Sequence, residues 1–132
     1  MQVSATAKYI HTSPRKVRLV ADLIRGKSIV EARNQLTFSK KAAAKLVLKA
    51  LNSAVANAEH NNSADTSDYI VSEIRIDEAP TIKRFRPRAR GAAFAIRKRT
   101  CHIKVTVGPK AGAVEKQAPE ATSETESETP KN

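Results

Sequence analysis

Between Lys83 and Lys104 the chain reads KRFRPRARGAAFAIRKRTCHIK, with nine Lys or Arg residues and no acidic one. Burying unpaired cations costs several kcal/mol each, so this segment must stand in water or meet an anion. Arg84, Arg86, Arg88 and Arg90 alternate along its first half, and the planar arginine fork makes bidentate phosphate contacts that a lysine ammonium does not. Lys83, Arg97, Lys98, Arg99 and Lys104 add charge, and Gly91 permits the positive backbone angle of a tip. The chemistry on offer is polyanion binding. Phe85 and Phe94 either stack on bases or pack across a hairpin.

The residues that serve enzymes do not assemble in the sequence. Cys101 and His102 are neighbours on an expected strand and so point to opposite faces, which defeats joint metal binding or a thiolate pair. Cys101 reads as core and His102 as surface. His11 precedes a helix and His60 ends one, positions that suit capping or a phosphate contact, while Asp77 and Glu78 are adjacent carboxylates with no partner histidine. No catalytic residue, metal site or cofactor is expected.

The whole chain has the same bias. Its 132 residues hold 24 Lys and Arg against 13 Asp and Glu, a net charge of +11. Five of those Glu fall after Val114, so the body is more basic than the mean, and such a surface seeks a polyanion. With 4% aromatic residues and no Trp, the core must be built from Val, Ile, Leu and Ala, and binding must be mainly electrostatic. One cysteine excludes an internal disulfide, and neither a signal peptide nor a membrane span is apparent, so a cytoplasmic protein without membrane contact is expected.

The elements that must position these cations follow from periodicity. Gln2 to Tyr9 alternates as a half-buried strand. Ser13–Pro14 starts a helix, the serine hydroxyl accepting a backbone N–H, and Gly26 stops it. Val17, Val20, Ala21 and Ile24 face the core and leave Arg15, Lys16, Arg18 and Arg25 outside. Ser28 with Glu31 forms a capping box for a second helix to about Leu36. Ser39 caps a third, roughly Lys40 to Glu59, whose Lys41, Lys45 and Lys49 form either a solvated face or a binding face. Asn61 to Asp68 reads as a loop. Ile70, Ile74 and Ile76 share one face of a strand, as do Cys101, Ile103, Val105 and Val107.

The link between those strands, Glu78 to Thr100, is too long for a turn and too basic for a core, so it predicts a hairpin arm leaving the domain, irregular because of Pro80 and Pro87 and bent near Arg88 to Gly91. The expected fold is α+β: three helices on a small antiparallel sheet, with a long basic β-hairpin arm over about 78–100. Residues 1–110 are expected to form a single RNA-binding domain that includes the arm, and 111–132 a disordered acidic tail.

KVRLVADLIRGK from Lys16 to Lys27, NSAVANAEHN from Asn52 to Asn61, DEAPTIKRFRPRARG from Asp77 to Gly91 and RKRTCHIKV from Arg97 to Val105 resemble, in order, blocks of the bacterial large ribosomal subunit protein twenty-two family. The resemblance covers roughly the first 108 residues. It implies a ribosomal protein that binds large-subunit ribosomal RNA, supports subunit assembly, and sends its hairpin through RNA to line the nascent-peptide exit tunnel. It places Lys83, Arg84, Arg88 and Arg90 on that hairpin and Lys16, Arg18 and Arg25 on a basic first helix. It also implies the nascent peptide and ribosomal protein four as neighbours at the constriction. The chain departs from the family's usual pattern at Ala92, where a basic residue is common, and at Cys101, where serine is.

Two other classes fit the charge alone. A DNA-bending protein also carries basic β-arms with proline near the tip, but usually presents two arms from a dimer. A membrane-active basic domain needs an amphipathic helix rich in large apolar residues, and the third helix is too rich in alanine.

Overall fold

The computed structural model describes residues 2–62 and 66–110. The tail expected to be disordered, and part of the expected loop after the third helix, lie outside the described residues. The elements run β1 (Val3–Ile10), α1 (Pro14–Ile24), α2 (Ile29–Phe38), α3 (Ala42–Asn62), β2 (Tyr69–Pro87), a short 3-10 turn (Ala89–Gly91) and β3 (Ala93–Pro109). The strands form one antiparallel sheet in the order β1-β3-β2, with the helices packed on it. This is the α+β architecture with a β-hairpin that the periodicity predicts.

β3 takes the centre because its alternation serves two neighbours. Val105 faces Ala5 on one side and Ile74 on the other, and Ile103 faces Ala7 and Ile76. Cys101, Ile103, Val105 and Val107 are all fully buried. Across from them α3 buries Ala43, Ala44, Val47, Ala50, Leu51, Ala54, Val55 and Ala58. A face made mostly of alanine brings the helix axis close to the sheet, since the side chains at the contact set that distance.

One expectation about the core is corrected. Ile70 does not share the buried face with Ile74 and Ile76. A bulge between Val71 and Glu73 inserts an extra residue in β2, and the alternation reverses across it. Val71 is therefore fully buried, whereas Ile70 is half-buried and bridges Ser28.

The helix starts hold with changes of detail. Ser28 accepts from the Glu31 backbone N–H at 3.3 Å, as the capping pattern requires. Ser13 precedes α1, but its carbonyl, not its hydroxyl, takes the bonds, from Lys16 and Val17 N–H at 3.1 and 3.4 Å. α3 begins at Ala42, and the Ser39 hydroxyl accepts from the N–H of Lys41 just before it.

β2 lies at the sheet edge, and the corner between α1 and α2 covers that edge. Gly26, at φ +74°, donates to the Val71 carbonyl at 3.0 Å, and Val71 donates to the Lys27 carbonyl at 2.9 Å. Further along, the Arg25 guanidinium reaches the Ile74 carbonyl at 3.3 Å and the Arg18 guanidinium the Ile76 carbonyl at 3.1 Å. The outward carbonyls of an edge strand are a template for unwanted pairing, and here two arginine forks occupy them. No described helix is long and apolar enough to cross a membrane.

Candidate nucleic-acid interface

Beyond the pair Ala79–Thr100 the strands leave the helices and continue as a two-stranded ribbon, from Ile82 opposite Lys98 to Pro87 opposite Ala93. The ribbon is more regular than expected. Its irregularity is confined to a bulge between Ala79 and Ile82, which absorbs Pro80, and to the tip. At the root the buried Thr100 hydroxyl donates to the Pro80 carbonyl at 2.7 Å, which satisfies a group the bulge would otherwise strand. From Ala79 to Pro87 the arm extends roughly 26 Å at strand rise. Every residue from Lys83 to Ala95 is exposed.

The tip is closed by Arg88 N–H donating to the Ala92 carbonyl at 2.8 Å. Gly91 has the expected positive φ, at +71°, and Arg90 joins it at +58°. A non-glycine residue in that region costs roughly 1–2 kcal/mol.

Cross-strand register decides how the cations are displayed, because directly paired residues share a face. Lys83 with Arg97 and Phe85 with Ala95 lie on one face; Ile82 with Lys98, Arg84 with Ile96, and Arg86 with Phe94 lie on the other. Phe85 and Phe94 are thus on opposite faces and do not pack across the hairpin. The Lys83–Arg97 pair sets two like charges side by side, an arrangement that destabilises a ribbon unless an anion lies over it. Among the described residues the only ion pairs are Arg25–Asp22 and Arg75–Asp77, so no arm cation has a carboxylate partner.

Where the arm leaves the body, an open cleft of about 830 Å³ brings distant segments together. Arg84, Arg97, Lys98 and Arg99 come from the arm and its root, His11 and Lys16 from just before α1 and its first turn, and Lys41 from just before α3, beside apolar Leu19, Ala42, Ala43 and Ile82. Among the described residues no acidic side chain lines it. Two helix N-termini open there, neither with an acidic residue in its first turn, so their positive dipole ends add to the side-chain charge. Such a lining attracts anions. Sequence left Lys41 undecided with Lys45 and Lys49; the structure separates it from them, because it precedes the helix and reaches the cleft.

The other predicted residues are dispersed. Arg15 is exposed on α1, and Arg88 and Arg90 sit at the tip. Arg18 and Arg25 hold the β2 edge with one donor each, while both residues stay exposed. Lys104 is far from the arm, in register with Thr6 and Arg75. Cys101 is in the core, where burial pushes its thiol pKa up and the Arg18 guanidinium only partly offsets the rise. His102 accepts the Tyr9 backbone N–H on Nδ1 at 3.0 Å and packs edge-on against the Tyr9 ring, its centroid 4.8 Å away. No group of three or more potential metal-ligating residues occurs among the described residues.

A family model described as ribosomal protein L22p/L17e matches residues 5–108, from β1 through the whole arm to the end of β3. The chain belongs to the ribosomal protein L22p/L17e family. A relative from Desulfitobacterium hafniense, named large ribosomal subunit protein uL22, is 57% identical over 109 residues, 83% of this chain and 96% of its own length. Relatives of the same name from Rubrobacter xylanophilus and a Synechococcus strain are 54% and 53% identical, covering 84% and 82% of this chain and 91% and 87% of their own. The L22p/L17e match therefore includes both the helices that form the cleft and the arm that rises from it.

Proposed function

We propose that the arm enters folded large-subunit ribosomal RNA and lines the nascent-peptide exit tunnel, while the cleft at its root fixes the body on surrounding phosphates. As a member of its family the chain is a structural, non-enzymatic constituent of the large ribosomal subunit in the cytoplasmic ribosome, and it binds ribosomal RNA. The finer reading rests on one observation above the rest. Thirteen consecutive residues, Lys83 to Ala95, are exposed on a ribbon whose cations find no carboxylate among the described residues. A two-stranded ribbon without a core is marginal in water, so its shape is completed by what surrounds it.

In this reading Lys16, Lys41, Arg84, Arg97, Lys98 and Arg99 grip phosphates at the root, Arg15, Arg18 and Arg25 extend that contact along α1, and Lys83, Arg86, Arg88, Arg90 and Gly91 engage RNA along the arm and tip. Lys104 adds a separate contact from the sheet. The family resemblance supports ribosomal protein four and the nascent peptide as neighbours of the tip, and a contribution to subunit assembly. The test replaces Lys83–Arg97 with a short turn. The shortened protein should fold and enter large subunits yet lose protections on RNA around the tunnel. Unchanged protections in incorporated protein would contradict the reading.

A further inference from the structure

Phe85 and Phe94 are 77% and 61% exposed, on opposite faces of the arm, each displayed among cations. Phe85 follows Arg84 and precedes Arg86, and its cross-strand partner is Ala95, whose methyl leaves the ring face uncovered. Phe94 stands directly opposite Arg86, with small Ala92, Ala93 and Ala95 around it in sequence. No ring contact involves either phenylalanine among the described residues; the one aromatic pair is Tyr9 with His102.

We infer that Phe85 and Phe94 are stacking platforms that each receive one unpaired nucleobase, so that the arm is held by one base on each face as well as by phosphate. This rests on the proposal that the arm enters folded RNA. A flat ring with an open face and arginines beside it matches both parts of a nucleotide, its π surface and its phosphate. A protein partner fits less well, because covering the rings with apolar side chains would also desolvate the flanking guanidinium groups. Small residues next to each ring are what a base needs in order to lie flat on it. The low aromatic content of the chain makes the placement of two of its three phenylalanines on this arm informative.

The chain has no tryptophan, so Phe85→Trp and Phe94→Trp each create a single tryptophan in the full protein, excited selectively over Tyr9 and Tyr69. The probe is deproteinised large-subunit ribosomal RNA, with an RNA duplex lacking unpaired bases as control. Stacking predicts that emission of both variants is strongly quenched by ribosomal RNA and little changed by the duplex. Phe→Leu at either site should weaken binding roughly 5- to 100-fold, and Phe→Tyr should not. Protections from diffusing hydroxyl radicals, recorded on the same complexes, separate the two claims. Protections from the arm with unquenched emission overturn stacking and leave RNA insertion standing; no protections from the arm overturn both. A blue shift without quenching, seen only in assembled subunits, assigns the rings to a protein neighbour and overturns the inference.

Discussion

The Arg18 guanidinium donates to the Ile76 carbonyl across 3.1 Å, tying the basic face of α1 to the free edge of β2. Together with Arg25 on the Ile74 carbonyl, it makes part of the chain's positive charge structural. Arg18→Met and Arg25→Met keep the apolar stem and remove the donors. Each should destabilise the domain by about 1 kcal/mol, read from denaturant midpoints. A loss near zero in both would show that water serves the edge carbonyls as well.

The bulge in β2 makes a prediction about two neighbouring residues. Val71→Ala should cost about 2 kcal/mol, since a fully buried side chain is truncated, while Ile70→Ala should cost clearly less despite removing more atoms. The reverse order in thermal or denaturant unfolding would place Ile70 in the core and remove the bulge.

The cleft predicts which lysine of α3 and its approach matters. Affinity for large-subunit RNA should fall steeply with salt, and Lys41→Gln should lower the slope of log affinity against log salt by roughly one. Lys45→Gln, on the exposed surface away from the cleft, should leave the slope unchanged. Equal effects would mean that the cations act only through total charge.

Cys101 supplies a test of core integrity. Its raised thiol pKa comes from burial first, opposed by Arg18, so the folded state favours the neutral thiol. The unfolded thiol ionises earlier as the pH rises, hence this contribution to stability is full below the ordinary value of 9.0 and declines above it. Alkylation by iodoacetamide at pH 8 should be slow in the native protein and rapid in denaturant. Fast native labelling would contradict the buried placement.

Most of the fold was legible because its signals are local. Ser28 and Glu31 announce α2, Pro14 and Gly26 bracket α1, and strict alternation from Cys101 to Val107 marks β3. The arm was legible from charge density, since no packed domain can hold that run of cations. Four features were not. The bulge after Val71 depends on how β2 meets β3, which periodicity in one strand cannot reveal. The use of Arg18 and Arg25 on a strand edge depends on sheet order, which places β2 outermost. The membership of Lys41 in the cleft depends on three segments meeting in space, although its place before a helix start was a usable hint. The register that sets Phe85 and Phe94 on opposite faces depends on Pro87 pairing with Ala93, which neither strand's own pattern fixes.

The claim that the arm tip lies within folded RNA is tested most directly by cleavage from the tip itself. Cys101 is fully buried and is the only cysteine, so an iron chelate can be attached to Arg90→Cys at the tip or to Lys8→Cys on β1. After assembly into large subunits, radicals generated at position 90 should cut the RNA in several short windows distinct from those cut from position 8. Cleavage from position 90 that is absent, or that coincides with the pattern from position 8, would contradict an arm that reaches into RNA.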